Sequence, residues 1–237
     1  MHRPAPRLQA IPLPQIVSAL PWVQDLPPIS KERVIADCYD KTYDRGDFVA
    51  RQGDPSTSWF GVAEGLLKVT SGDGNGRITT FTAVPARAWV GEGAVIKREA
   101  RRYDVAAMRP SRVIHVPRAT FMWLLESSIE FCRFIIDHLN ERVGQFIAMV
   151  EVARIVEPVR RVAGTICNLS HPILLPRSGP FLHISQEEIA ELAGLSRSTI
   201  NQSIAKLRRL KLISMEYTSL LVPDQDLLRD FAHSIDK

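Results

Sequence analysis

The residues whose types and spacing carry recognisable chemistry lie toward the C-terminal end. Between Glu191 and Glu216 there is no acid, against five bases: Arg197, Lys206, Arg208, Arg209 and Lys211. Within this run Arg197, Ser198, Thr199, Asn201, Gln202 and Lys206 fall away from an apolar stripe of Ile200, Ile204 and Leu207 at helical spacing. Guanidinium, hydroxyl, amide and ammonium groups so arranged reach phosphates and base edges; they do not build cores. Just ahead, Ser185 and Glu188 form the Ser-x-x-Glu pattern of a capping box, which opens a short helix. Ser185 and Gln186, at that helix start, join the candidate contact set. Gly194 then stands where a tight turn needs a residue free to take positive φ, and Ser196 caps a second helix. Two crossing helices with this turn predict a helix-turn-helix that reads duplex DNA. Residues 212–222 read as a small hairpin wing beside it.

Other chemistries find no support in the residues. Cys38, Cys132 and Cys167 are odd in number and far apart, without a Cys-x-x-Cys pair, so inert core thiols are expected rather than a disulfide framework or a metal site. There is no His-x-His pair and no nucleophile–base motif. The expectation is therefore a protein without catalytic residues or a bound metal, not an enzyme.

The elements that must carry the reading head follow from texture. From Lys41 to Val116 short runs such as Trp59-Phe60-Gly61-Val62 and Leu66-Leu67-Lys68-Val69-Thr70 are cut by glycine-bearing turns, which predicts a β barrel or sandwich. The period then switches. Phe131, Phe134, Ile135, Leu139, Val143, Phe146, Ile147 and Val150 mark one stripe of a long helix, roughly 128–153. A helix that long with a heptad-like seam usually finds a partner, and a parallel homodimer is expected. A further helix, about 157–169, carries Pro158 at its start, where proline is tolerated. Residues 170–180 read as a connector.

A length of 237 residues, 45% hydrophobic and 24% charged, excludes a disordered or low-complexity chain and allows one large domain or two small ones. No apolar run approaches a membrane span, and the proline-broken N-terminus makes a poor secretion signal. A cytoplasmic protein without a membrane partner is expected. The first 30 residues, rich in proline, read as an extended arm with one short helix at most.

The order Tyr43-x-x-Gly46-Asp47, Gln52-Gly53-Asp54, Gly65-x-Leu67-Lys68-Val69, Gly91-Glu92, long helix, and Ser196-Arg197-x-Thr199 resembles the CRP/FNR family of bacterial transcription regulators over about residues 40–222. The resemblance implies an α+β fold: an N-terminal β-roll (jelly-roll-like) sensor domain, a long dimerisation helix, and a C-terminal winged helix-turn-helix. The expected division is 1–30 arm, 31–127 cyclic-nucleotide-binding-like β-roll, 128–153 dimerisation helix and 154–237 winged helix-turn-helix. It also implies a DNA operator and RNA polymerase as partners, with an effector in the β-roll repositioning the reading heads.

In the cyclic-nucleotide binders of the family, a Gly-Glu pair and, about ten residues on, an Arg-Ser or Arg-Thr hold the cyclic phosphate and ribose. Gly91, Glu92 and Arg102 match; Tyr103 stands in place of the small hydroxyl residue, and Asp104 follows. Phe146 and Ile147 fall where cyclic-AMP binders carry a Thr-Ser pair, and neither can hydrogen-bond an adenine edge. The candidate effector residues are thus Gly91, Glu92, Arg102, Tyr103, Phe146 and Ile147, with cyclic AMP not expected in the usual mode. Lys97-Arg98-Glu99-Ala100-Arg101-Arg102 either holds a more charged anion, such as a cyclic dinucleotide, or is a solvated loop; the loop is preferred. Iron–sulfur sensing lacks its cysteine cluster. Among the β-region residues only His115 offers a haem ligand, and a lone histidine is more often structural. A module acting through protein contacts rather than DNA is the alternative.

Overall fold

The computed structural model describes residues 11–72, 78–169, 174, 181–216 and 219–234. The chain opens on three short helices, α1 (Leu13–Ser18), α2 (Pro21–Gln24) and α3 (Pro28–Asp37). This departs from the extended arm expected there. Each helix has a proline in its first two positions, where the missing N–H is an orphan anyway, so these prolines start helices instead of preventing them. The segment is anchored, with Val17, Trp22, Val23 and Leu26 buried.

Eight strands follow among the described residues: β1 (Tyr39–Tyr43), β2 (Phe48–Ala50), β3 (Ser58–Glu64), β4 (Leu66–Gly72), β5 (Ile78–Pro85), β6 (Trp89–Val90), β7 (Asp104–Ala107) and β8 (Ser111–Pro117), with α4 (Glu92–Lys97) between β6 and β7. They make two antiparallel sheets, ordered β1-β8-β3-β6 and β2-β7-β4-β5. Their inner faces close on one another through Phe60, Val62 and Val113 from the first sheet and Leu67, Val69 and Val105 from the second. This is the β-roll.

Helix α5 (Arg118–Ser127) leads into the long α6 (Ile129–Ala153), whose start is capped by the Ser128 hydroxyl accepting from the Phe131 N–H. The apolar stripe of α6 is not one seam. Its first half, Phe131, Phe134, Ile135 and Leu139, packs on the chain's own core with Trp22, Trp59 and Trp89. Trp22 sits 5.3 Å from Phe131 and 6.1 Å from Phe134, ring centre to ring centre. The second half stays bare: Val143, Phe146, Ile147 and Val150 are 57%, 47%, 58% and 55% exposed. The physical reason is the N-terminal segment, which brings Trp22 onto the helix and uses up its early positions.

The reading head comprises α7 (Pro158–Asn168), β9 (Phe181–His183), α8 (Gln186–Ala193), α9 (Arg197–Arg209), β10 (Ser214–Glu216), β11 (Ser219–Leu221) and α10 (Gln225–His233). Strands pair in the order β10-β11-β9, so the expected hairpin wing gains a third strand from ahead of α8. Apart from Leu174, the expected connector 170–180 lies outside the described residues, as do Tyr217 and Thr218 of the wing. The head's core, built on Val162, Ile166, Ile189, Ile200, Ile204 and Leu207, also takes in Leu66, Ala83 and Met108 of the β-roll.

Candidate nucleic-acid interface and effector cavity

The reading head is assembled by local rules. Ser185 Oγ accepts from the Glu188 N–H at 3.2 Å while Glu188 Oε2 accepts from the Ser185 N–H at 2.8 Å, closing the capping box. Gly194 takes φ 64°, and Ser196 Oγ caps α9 by accepting from the Thr199 N–H at 3.2 Å. Ile200, Ile204 and Leu207 bury one side of α9, leaving Arg197, Ser198, Asn201 and Gln202 exposed on the other. Thr199 is half-buried and shares a 2.8 Å hydrogen bond with Ser196 Oγ. Three of the expected contacts already have partners. The Ser185 hydroxyl caps its helix, Gln186 Nε2 lies 3.6 Å from Met215 Sδ, and Lys206 Nζ is 3.3 Å from Glu157 Oε1. The acid-free run is thus acid-free in sequence but not in space.

The head is tied to the sensor through charge. Arg45 Nη2 donates to Glu187 Oε1 at 2.8 Å, Arg109 Nε approaches Glu188 Oε1 at 3.4 Å, and Lys68 pairs with Glu191. The hydrogen bond and charge of Arg45 hold the Glu187 carboxyl below the usual carboxylate range. Arg109 Nη2 also donates to the His183 carbonyl at 2.7 Å, so α8 and β9 are both gripped by β-roll side chains.

Between β4, β5, α4, α6, α7 and α8 lies a cavity of about 1160 Å³. At its α4 end Gly91 takes φ 95°, and a Cβ there would stand 2.6 Å from Arg101 Nη1; only glycine permits that approach. Arg101, not its neighbour, fills this position. It is 3% exposed, donates to the Gly91 carbonyl at 2.9 Å and to the Ser58 carbonyl, and lies 4.4 Å above the Phe60 ring. Burial lowers its pKa from the usual arginine value. Arg102 instead points outward, donating through Nε to Glu99 Oε1 at 2.8 Å on the cavity rim.

Glu92, 5% exposed, meets two groups from α6: His138 Nε2 and Arg142 Nε each lie 3.7 Å from its Oε1. Arg142 is fixed further by donating to Gln145 Oε1 at 2.8 Å and to the Trp89 carbonyl at 2.7 Å. Among the described residues Glu92 Oε2 and Gln145 Nε2 have no hydrogen-bond partner. Burial pushes the Tyr103 phenol up to about 12, with the Glu92 charge adding to it, so the group stays protonated. Asp104, which sequence placed beside the anion, accepts from the Gln52 N–H at 2.7 Å instead. Phe146 lines the cavity; Ile147 is not in its wall and faces outward.

His115 is structural. Its ring nitrogens lie 3.2 Å from Tyr43 Oη and 3.1 Å from Ser58 Oγ, leaving neither free for an iron. Cys38 and Cys167 are pushed up to about 12 and about 11 by burial, as inert thiols are. No group of metal-ligating residues occurs among the described residues.

The description "Cyclic nucleotide-binding domain" matches residues 40–128, and "Crp-like helix-turn-helix domain" matches residues 160–231. The chain belongs to the CRP/FNR family of transcription regulators. The cAMP-activated global transcriptional regulator CRP of Haemophilus influenzae is 21% identical over 196 residues, 79% of this chain and 85% of that relative. The structure of FixK2 from Bradyrhizobium japonicum superposes with a TM-score of 0.63 at 12% identity, over 84% of this chain and 99% of that one. The c-di-GMP responsive global regulator CLP of Xanthomonas campestris gives a TM-score of 0.58 at 18% identity, over 83% and 99%. The two structural likenesses bear on the fold alone. As a CRP/FNR-type regulator the chain carries a DNA-binding helix-turn-helix on a cyclic-nucleotide-binding domain. Sequence reasoning missed Arg101 and the polar face His138–Arg142–Gln145. The second had a signal, since spacings of four and three put all three on one side of the helix.

Proposed function

We propose that this regulator acts as a cytoplasmic homodimer on a two-fold symmetric double-stranded operator, and that a small effector in the cavity beside α6 sets the attitude of its reading heads. The observation that carries the reading is α9: a buried aliphatic stripe backed by exposed Arg197, Ser198, Asn201 and Gln202. Arg197 reads a guanine by its O6 and N7, while Asn201 and Gln202 favour adenine. Thr199, Lys206, Ser185 and Gln186 act at the edge of the interface, toward phosphates. Half-sites lie about one helical turn apart, as the two-fold axis of a dimer requires. The bare half of α6 supports pairing of two chains, and the bound dimer contacts RNA polymerase.

The sensor is read as 31–127, the dimerisation helix as 128–153 and the head as 154–237, with 1–30 as a helical N-terminal segment. No helix among the described residues is long and apolar enough to cross a membrane. For the effector, Glu92, Arg102 and Tyr103 frame the α4 end of the cavity, with Gly91 behind them against Arg101, Phe146 on the apolar middle and Ile147 turned toward the partner. Cyclic AMP in its usual mode is disfavoured: Arg142 already holds Glu92, and Arg102 is spent on Glu99. A nucleotide-type effector, cyclic mononucleotide or cyclic dinucleotide, has in its favour the domain type and the neighbour named as c-di-GMP responsive. The experiment for the reading as a whole is a salt titration of duplex-DNA binding. Phosphate neutralisation gives a steep fall of affinity with salt; a flat response would favour a module acting through protein contacts.

A further inference from the structure

The cavity is larger than a site for one cyclic mononucleotide needs. At about 1160 Å³ it exceeds the roughly 300–1,000 Å³ usual for small-molecule pockets, and it runs from the β-roll into the reading head. Its middle is apolar: Val69 and Phe81 from the sheet face Leu139, Phe146, Met149 and Val150 of α6. Those side chains offer nothing to the edge of a nucleobase. Thr82, on the same wall, turns its hydroxyl to the Ala83 carbonyl at 3.2 Å.

Arg102, Tyr103 and Arg142 share the α4 end with Glu92, Ser71, Thr79 and Thr80 line the sheet side, and Glu191, paired with Lys68, lines the wall by α8. Two buried polar atoms without a partner stand at opposite ends and are of opposite kinds. At the α4 end Glu92 Oε2 is a buried acceptor with no donor. At the α7 end Arg161, Thr165 and Asn168 line the wall from one face of the helix, at spacings of four and three. Arg161 Nη2 is used on the Ala153 carbonyl at 2.9 Å, while its Nε is a buried donor without an acceptor. Thr165 gives its hydroxyl to the Arg161 carbonyl, which leaves the guanidinium edge as the donor of this end, with Asn168 farther along the same wall. An unpartnered N–H of a guanidinium matches a carboxylate oxygen in charge and in donor. A buried acceptor beside a cation matches a hydroxyl.

Resting on the reading of the chain as an effector-controlled regulator, and replacing the nucleotide that the domain type alone suggests, we propose that the effector is an amphipathic hydroxy acid. Its carboxylate lies at Arg161, its apolar body lies along Phe146 and Met149, and its hydroxyl donates to Glu92. Leu192, Ala193 and Gly194 complete the wall at the α7 end, so the ligand touches the turn that sets the recognition helix. Occupancy is then read directly by the head, through contacts made in one attitude of α8 and not in another.

The test uses the full chain and ricinoleate as probe, below its micelle concentration, followed by calorimetry and tryptophan fluorescence. One equivalent per chain is expected to bind, with oleate, which lacks the hydroxyl, at least about tenfold weaker, a difference of about 1.4 kcal/mol. Methyl ricinoleate, which lacks the carboxylate, should be weaker by a similar factor, and Arg161→Gln should erase the acid–ester difference. Gly93 lines the cavity, and a Cβ added there meets nothing within 4 Å. Gly93→Leu should therefore fold normally and weaken ricinoleate by about tenfold or more. No binding of the acid, equal binding of acid and ester, or tighter binding of cyclic AMP or cyclic di-GMP in competition would each overturn the ligand class. None of these would touch the DNA reading, which the salt titration of operator binding tests separately.

Discussion

If the bare half of α6 is the seam between two chains, one buried charge there should part them. Phe146 is the position to perturb, because it keeps 47% of its surface exposed in the single chain and is flanked by Val143, Ile147 and Val150. An aromatic side chain presents about 200 Å², so at most about 95 Å² per chain remains for a partner to cover, the rest of the exposed ring facing the cavity. At about 25 cal/mol per Å² that is at most about 2 kcal/mol per chain and about 5 kcal/mol per dimer. Phe146→Asp removes this term and sets two carboxylates against each other in a desolvated seam, which adds to the loss. Since each 1.4 kcal/mol is tenfold, the dimer dissociation constant should rise by about three orders of magnitude. Sedimentation equilibrium at micromolar chain should then show monomers where the parent is dimeric, with the thermal transition of the monomer nearly unchanged. Operator affinity should fall with it, because one head reads one half-site. A variant that stays dimeric with an unchanged constant would refute the argument and move the seam to another face.

Arg197→Ala should lose about 1–3 kcal/mol of discrimination at one guanine per half-site in selections from randomised duplexes, whereas uniform weakening would reassign Arg197 to a phosphate. Cyclic AMP should bind weakly or not at all by calorimetry; micromolar or tighter binding would show that the Arg142–Glu92 pair opens readily. Folding stability should fall as pH drops from about 6.5 to about 4. Burial, then the charges of Lys41 and Arg101, push His115 down to about 4, so the unfolded chain takes the proton first. The whole effect amounts to about 3 kcal/mol, and urea midpoints at the two ends of that window should lose much of their difference in His115→Gln.

The parts legible in sequence were those that local chemistry decides. Ser185, Glu188, Gly194 and Ser196 set the ends of α8 and α9 through bonds spanning three or four residues, so their pattern is their structure. The apolar runs of β3 and β4, cut by the turn at Gly65, and the length of α6 are legible for the same reason. What sequence could not resolve was how one pattern is divided between partners. The stripe from Phe131 to Val150 is continuous on a helical wheel, yet Trp22, more than a hundred positions away, claims its first half. Lys206 counts as a free base until Glu157, at a separation of 49, reaches it. Arg101 and Arg102 are adjacent and identical in type, and only the packing of Gly91 and Phe60 decides which one turns inward.

That division makes α6 two-sided in its second half. His138, Arg142 and Gln145 face the sensor, Val143 and Ile147 face away from it, and Phe146 and Val150 stand between, exposed and on the cavity wall. Arg142 is held by Glu92 and the Trp89 carbonyl of the sensor and by Gln145 of its own helix. A ligand hydroxyl that donates to the free Oε2 of Glu92 pulls on the carboxylate whose Oε1 lies against this guanidinium, and a buried cation whose counter-charge shifts must follow it. That response moves a residue one position from Val143, on the bare face. The effector end of the cavity and the proposed seam are thus two sides of one rigid element, and a change at Glu92 need travel no farther than the width of that helix.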